Sequence, residues 1–509
     1  MARRFRILFA SAAVIATALL STGTQRVAAS TFVLGLDATF EQALIDRGYD
    51  TGPVDGKIAT SALRTVTSLD LSNTTFSTLG NGRGWGIFPN LQSLNLSGNT
   101  AITDLSGFQA RWPASLRILN ISGMTALEQL QISSLDFLDY QTATPNFGFS
   151  QIITGNNTSL FDLVIDTTDI TSIDLSSMSA LRFLSITEST LTSINISNLP
   201  ALEYVNLASN NLTSLTITNA PKLTSIEVQG NALSTLNVTS VPSLTNISAH
   251  NNVLTSLDLS QNVNLQSIRV DKNRLTSLVL SATAPLQKIL ASNNKLTTID
   301  TRSFPYLRML SVSYNKLKTL DVSVNTSLTS LGVSNNQLRT IDLSKNIHLQ
   351  SVDVSSNKIK NLNVAGNTKI SSLSASNNSL KSIDISSLVA IQYLNIRSNR
   401  VTKIKFGNLN RLFTINVSNN RLKKLDIAAA LNVFDVYVAS NPLTQLKFSP
   451  LFSAGTLDIR STRLSTVDLR DSEPETLRAN GTVRIRVADP VGSRLDWETT
   501  LGKDVRLTK

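Results

Sequence analysis

LTSLDLSQNVN (254–264), LQSIRVDKNR (265–274), LTSLVLSATAP (275–285), LQKILASNNK (286–295), LTTIDTRSFPY (296–306) and LRMLSVSYNK (307–316) follow one another without a break, and apolar residues return at the first, fourth and sixth places. A half of eleven residues and a half of ten make one unit of 21. The unit opens on an apolar residue fifteen times in fixed phase, from Ile170 through Leu254 to Leu464, with no insertion or deletion. Neither a globular core nor a helical array demands an apolar residue at a fixed 21-residue step, so the chain is read as a stack of repeats rather than as several domains. Within each half the apolar side chains alternate with polar ones, the pattern of a short strand with one face buried.

The ten-residue half, read into the next unit, runs L-x-x-L-x-L-x-x-N-x-L, as in LQSIRVDKNRL (265–275). This pattern resembles leucine-rich repeat proteins over about residues 66–468. Its Asn recurs twelve times in register, from Asn210 to Asn441. At a tight turn, a buried Asn can accept from and donate to backbone groups of its own and the neighbouring turn, satisfying polar groups that stacking would otherwise strand. The other half, typified by LTSLDLSQN, is too short and too rich in turn formers for a helix, and is read as a second strand or extended arc. The expected fold is therefore mainly β: a right-handed leucine-rich repeat solenoid with about fifteen regular 21-residue turns, short strands on both sides and a small helical N-terminal cap. At about 4.8 Å per turn, its rod would be of the order of 85 Å long. Bacterial secreted leucine-rich repeat proteins with nested 21-residue units look similar, and that resemblance implies a binding or surface role.

The flanks divide the remainder. Arg3, Arg4 and Arg6 precede an apolar run (7–20), and small residues follow at Ala28 and Ala29, so residues 1–29 read as a signal peptide and the mature chain as secreted, extracellular or at the cell surface. That run is shorter than the roughly 20 residues a membrane span requires, and no later segment is long and apolar enough. Residues 30–65 form an N-terminal cap, with a short amphipathic helix at 40–45. Part of this segment, LIDRGYDTGPVDGK, also resembles a peptidoglycan-binding helical module. Residues 66–159 are irregular repeats with excursions at 80–86 and 141–148, residues 160–470 are the regular repeats, and residues 471–509 are a C-terminal cap.

Composition narrows the function. The 509 residues hold no Cys and two His, which excludes disulfides, zinc-thiolate sites and cysteine nucleophiles. His250 and His348 occupy different places in the repeat and cannot share a site. No G-x-S-x-G, H-E-x-x-H or phosphate-binding glycine loop occurs. We expect no enzyme, no cofactor and no bound metal. Charged residues are 16% of the chain, against about 25% in ordinary soluble proteins; Ser, Thr and Asn take their places. The formal charge of +11 falls to +7 when residues 1–29, with four Arg and no acid, are removed.

Three constellations bear on partners. An Asp column (Asp258, Asp300, Asp321, Asp342, Asp384, Asp426) could hold calcium or pair carboxylates, or simply be outward turn residues beside Ser, Thr and basic neighbours. A basic column (Arg274, Lys295, Lys316, Lys358, Arg400, Arg421, Arg463) could bind polyanions, or be a solvated ridge that neutralises the Asp column. The third is the exposed face of the Asn-bearing strands. Most units offer Ser, Gly or Asn there; the exceptions are Tyr204; Arg269, Asp271 and Lys272; Arg308, Met309 and Tyr314; Tyr393, Asn395 and Arg397; and Tyr437. Tyr and Arg anchor interfaces far more often than Ser does. These residues are the expected contact surface for a protein partner, the alternative being a polysaccharide or cell-wall component. Nucleic acid is not expected, and the chain reads as a monomer.

Overall fold

The computed structural model describes residues 32–77, 84–103, 105, 113, 115–132, 150–448 and 455–468, and the backbone of three strands beyond them, Thr476–Arg478, Arg484–Arg486 and Arg506–Thr508. The signal peptide, residues 80–83 of the first excursion and all of the second lie outside the described residues.

The chain is a mainly β solenoid. Seventeen short parallel strands, from Gln129–Ile132 through Tyr204–Asn206 and Ser267–Arg269 to Thr476–Arg478, form one continuous sheet built from the ten-residue halves. Register advances by 21 residues at nearly every step, pairing Tyr204 with Ser225 and Ser225 with Asn246. Among the described residues the first and last strands do not pair with each other, so the sheet is open. All fifteen residues that open the unit, Ile170 to Leu464, are buried, and the fourth-place and sixth-place residues of the deciding stretch are buried, such as Leu257, Leu259, Ile268 and Val270, or partly buried, as Leu278, Leu280 and Ile299 are. Thr301 takes a sixth place and is buried as well; its hydroxyl donates to the Asp321 carbonyl of the next turn.

The far side is less regular. Strands Ser214–Thr216 and Thr235–Asn237 pair, as do Ser256–Leu259 with Ser277–Leu280, Ser382–Asp384 with Lys403–Lys405, and Lys424–Ile427 with Gln445–Phe448. The halves between residues 298 and 363 are extended without strand pairing. Here side chains carry bonds from turn to turn instead. Buried Asn325 donates to the Thr301 and Phe304 carbonyls at 2.9 and 2.7 Å, and Asn346 and Asn367 repeat the arrangement one and two turns later. The irregular repeats supply four far-side strands, Ser68–Asp70, Ser93–Asn95, Ile118–Asn120 and Gln151–Ile153. Beyond residue 471, where a cap is expected, Thr476–Arg478 extends the long sheet, while Arg484–Arg486 and Arg506–Thr508 extend the far side from Thr466–Asp468.

The Asn ladder is formed in full. In a typical turn, Asn315 Oδ1 accepts from the Leu296 N–H of the preceding turn at 2.9 Å, and Nδ2 donates to the carbonyls of Ala291, Val312 and Ser313 at 3.0, 3.0 and 3.2 Å. The residue just before each Asn forms a second column that the pattern does not reveal. From Thr167 to Ser461 it adopts a left-handed backbone at every turn, with φ of 54° at Lys272 and 55° at Tyr314; only Gly230 is a glycine. L-residues other than Asn, Asp and Gly rarely adopt this conformation because Cβ crowds the following carbonyl. The ladder on either side holds it. Lys272→Gly should therefore leave the urea midpoint unchanged or raise stability by up to about 1 kcal/mol, while a β-branched Lys272→Val should lower it by a similar amount. A lower midpoint for the glycine variant would mean that the lysine stem matters more than the strain.

Candidate functional site

In the three-residue strands of the long sheet up to Thr456–Asp458 the middle side chain is buried and its two neighbours face away from the core, as in Tyr204, Val205 and Asn206. Register then stacks outward side chains into columns. One column runs Asp162, Phe183, Tyr204, Ser225; another runs Val164, Ser185, Asn206, Glu227. Tyr204, Met309 and Tyr393 stand in the first column, and Arg269, Asn395 and Tyr437 in the second. Arg308 precedes its strand, Asp271 and Arg397 follow theirs, and Lys272 and Tyr314 occupy the left-handed column along the rim. The residues singled out from the sequence share a face but are not one cluster. Arg269 pairs with Asp271 inside its own turn at 3.3 Å. Asn395 accepts from the Arg397 N–H at 3.1 Å and so is a turn former. Arg397 and Tyr437 do converge, lining a groove of about 460 Å³ with Asn416, Asp458 and Arg460. There Asp458 is buried and held by two hydrogen bonds from Arg460, at 2.8 and 2.7 Å.

Two aromatic pairs on this face escaped the sequence reading. Phe413 and Phe434, each one residue ahead of its strand, stack with ring centroids 5.2 Å apart, and Phe413 is half exposed. Gly455 holds the same offset one turn later, and a Cβ there would fall 2.1 Å from the Phe434 ring. At the other end, Phe183 and Tyr204 stack at 4.5 Å with their planes 8° apart. They line the larger groove, of about 910 Å³, together with Asp162, Arg182, Glu203 and Asn206. The signal was available: Asp162 and Phe183 lie 42 and 21 residues before Tyr204, at the same place in the repeat.

The Asp column lies on the far side and shapes turns. Asp258, Asp300, Asp321, Asp342, Asp384 and Asp426 each accept from the backbone N–H two residues on, at 2.9–3.1 Å. Asn195, Asn237 and Asn363 hold the same place in other turns and do the same with no charge, so the role does not require a carboxylate. Among the described residues no group of three or more His, Asp or Glu could hold a metal ion. The ridge reading needs correction in one respect. Three of the far-side aspartates, Asp300, Asp384 and Asp426, are paired by Arg302, Lys405 and Lys447, while Arg274, Lys295, Lys316 and the rest of the basic column are exposed on the loops. The two His sit apart: His250 Nδ1 lies 3.0 Å from Ser248 Oγ, and burial followed by the neighbouring Arg269 pushes its imidazole below the ordinary range, whereas exposed His348 lies 3.0 Å from Lys369 Nζ.

Hydrogen bonds from the Arg302 side chain, then its N–H, hold Asp300 down to about 2, from an ordinary value of 3.8. A carboxylate depressed in the folded state stabilises fully above its unfolded value, and that contribution is lost as pH falls through the folded value. Urea midpoints should therefore drop between about pH 4 and pH 2, and Asp300→Asn should remove a small share of that slope. An unchanged slope would show that the Arg302 pair is too solvated to count.

Comparisons place the repeat. The leucine-rich repeat model described as two copies matches residues 64–110, and a single leucine-rich repeat model matches residues 345–362. No curated protein matches the chain. Among solved structures, a leucine-rich repeat protein of Leptospira interrogans is 21% identical, with 71% of this chain and 92% of that one covered and a TM-score of 0.49. The leucine-rich effector YopM of Yersinia pestis is 28% identical over 57% of this chain and 80% of its own, with a TM-score of 0.49. The functional domain of InlJ from Listeria monocytogenes, described as including a cysteine ladder, is 19% identical over 89% and 80%, with a TM-score of 0.40. No enzymatic family is indicated, and among the described residues no helix is long and apolar enough to cross a membrane. Leucine-rich repeat models match residues 64–110 and 345–362, and from Ile170 onward the turns are 21 residues long with Asn at one place from Asn210 to Asn441; the fold is that of a leucine-rich repeat solenoid, of a kind typical of protein-interaction scaffolds.

Proposed function

We propose that the protein is a secreted, non-enzymatic scaffold that recognises a protein partner, at a cell surface or outside the cell, through its Asn-bearing strand face. One observation carries this reading: on a face whose outward columns are mostly small and polar, aromatic and charged side chains line grooves toward its two ends, one beside the stacked Phe183–Tyr204 pair and one around Arg397 and Tyr437. Aromatic and Arg anchors in partly desolvated grooves supply most of the energy of protein interfaces, whereas hydroxyl and amide lawns supply little. The basic start and apolar run of residues 3–20 support export.

The test is a crosslinking pull-down with mature protein, repeated with Tyr393→Ala and Arg397→Ala. Each substitution should weaken capture by about tenfold or more if it removes an anchor; undiminished capture in both argues against this end of the face. The basic column supports a second reading, retention by an anionic polysaccharide or cell-wall component. Polyanion binding collapses as ionic strength rises, whereas Tyr-centred contacts persist, so a salt titration on wall fractions separates the two.

A further inference from the structure

The groove beside Tyr204 has a chemistry that the rest of the face lacks. Phe183, stacked on Tyr204, is 37% exposed and presents its other side toward Asp162, its register neighbour in the preceding turn. Asp162 Oδ1 is buried without a hydrogen-bond partner among the described residues, and burial raises this carboxyl above its ordinary value. Two other acids nearby are engaged. Asp166 accepts from the Thr187 hydroxyl at 2.6 Å, and Glu227 lies against the Tyr204 phenol, which burial and that carboxylate push up. Among the described residues, the cation that lines this groove is committed: Arg182 donates to both carboxylate oxygens of Glu203, at 3.0 and 3.2 Å.

Charge over this part of the chain is also reversed. Residues 160–230 carry seven acids against two bases, in a chain that is +11 as a whole. A carboxylate oxygen shut off from water and left vacant is costly unless something donates to it. Beside an exposed ring face, the donor that satisfies both groups is a planar cation. A guanidinium can lie over the ring by cation–π attraction while its N–H groups reach the carboxylate, a combination that Lys, with a compact and strongly hydrated ammonium, makes less well. The groove is open and elongated across successive turns, which suits an extended chain rather than a single small molecule.

We propose that the groove formed by Asp162, Phe183 and Tyr204 is a docking site for an arginine side chain presented by an extended, basic segment of a protein partner. The proposal rests on the strand-face reading above and narrows it to one end of the face and one chemistry. A labelled hexapeptide library with one position fixed as Arg, Lys, citrulline or Glu, titrated against the full mature chain, tests it. Citrulline keeps the shape of Arg and removes the charge. Arg pools should bind about tenfold tighter than citrulline pools, and both Asp162→Asn and Phe183→Ala should erase that preference, while Asp384→Asn on the far side should leave it intact.

Equal binding of Arg and citrulline pools, or an Arg preference that survives Asp162→Asn, overturns the proposal. So does an Arg preference lost equally in Asp384→Asn, which would be general charge attraction. If the wild-type chain self-associates in solution and Asp162→Asn does not, the occupant is a second copy and the assignment to a separate partner fails. Capture that depends on Tyr393 and Arg397, with no Arg preference, leaves the strand-face reading standing and sinks this one alone. No dependence on any residue of the face sinks both.

Discussion

Asn315→Ala is expected to destabilise the protein by roughly 3–5 kcal/mol, one of the largest losses available to a single polar residue in this chain. Asn315 is buried, and its side chain closes four hydrogen bonds: one from the Leu296 N–H and three to the carbonyls of Ala291, Val312 and Ser313. Alanine leaves the Leu296 N–H of a water-excluded turn without a partner, at about 1–3 kcal/mol, and takes one donor each from three carbonyls that keep Asn294, Asn336 and the Asn293 N–H, at about 1 kcal/mol each, partly relieved if water enters. Asn315→Asp should be as damaging, since a carboxylate would face three carbonyl oxygens with nothing to donate. Because each turn touches only its neighbours, the loss should also split the cooperative unit, so that denaturant unfolding monitored at the two ends no longer coincides. A single transition shifted by less than about 1 kcal/mol would mean that the turn can find its bonds elsewhere. An exposed amide with ordinary backbone such as Asn246, whose Nδ2 donates to the adjacent Thr245 Oγ1 at 2.8 Å, is the internal control and should change almost nothing.

That ladder was legible because it is strict: twelve Asn at one phase admit few explanations other than a polar column bonded from turn to turn. The second set of buried amides was not legible, for a physical reason. Asn262, Asn325, Asn346 and Asn367 share a place with buried Phe304, Leu388 and Ala430, so the position tolerates any side chain that fills the space, and the amide is one solution among several. The left-handed column was hidden more completely. Thr, Glu, Ser, Lys, Tyr and Asn all occupy it, because the ladder on one side and the strand on the other fix the backbone whatever the side chain prefers. The far side was read as a second strand or extended arc, and it is both: paired strands over part of its length and, between residues 298 and 363, an extended arc whose turns are joined by side chains.

At the candidate site, Tyr204 was singled out while Phe183 and Asp162 were passed over. An exposed Tyr reads as an anchor on its own, whereas a Phe and an Asp gain meaning only when register sets them beside it. A column is therefore the proper unit for reading function in such a chain. Residues 21 apart are spatial neighbours, and composition along one place in the repeat says more than composition along the sequence.

The N-terminal end carries the second large prediction: Phe40→Ala should lower stability by about 3–5 kcal/mol, from lost apolar burial plus the cavity left behind. With no Cys in the chain, nothing covalent closes this end of the stack. The helix Ala38–Asp46, capped by Asp37 accepting from the Thr39 and Phe40 N–H groups, lays Phe40 fully buried against Phe76 and Trp85, with ring centroids 5.3 and 6.0 Å away. Trp85, which the sequence placed in an excursion, thus belongs to the cap core. The strands Phe32–Leu34 and Lys57–Ala59 pair antiparallel beside it. Buried Glu41 ties the connecting loop down by accepting from the N–H groups of Asp55, Gly56 and Lys57. Removing the Phe40 ring should loosen helix and loop together and expose the apolar edge of the first turn. In a stack of nearest-neighbour contacts, that edge is where unfolding begins. Thermal melting should shift down, and limited proteolysis should cut the 30–65 segment before the repeats. Glu41→Gln, which keeps the shape and weakens only the charge assistance of three hydrogen bonds, should shift the same observables by less. If Phe40→Ala melts with the wild type while proteolysis of this segment is unchanged, the repeats hold their own first turn and the helix is an ornament on a stack that does not need it.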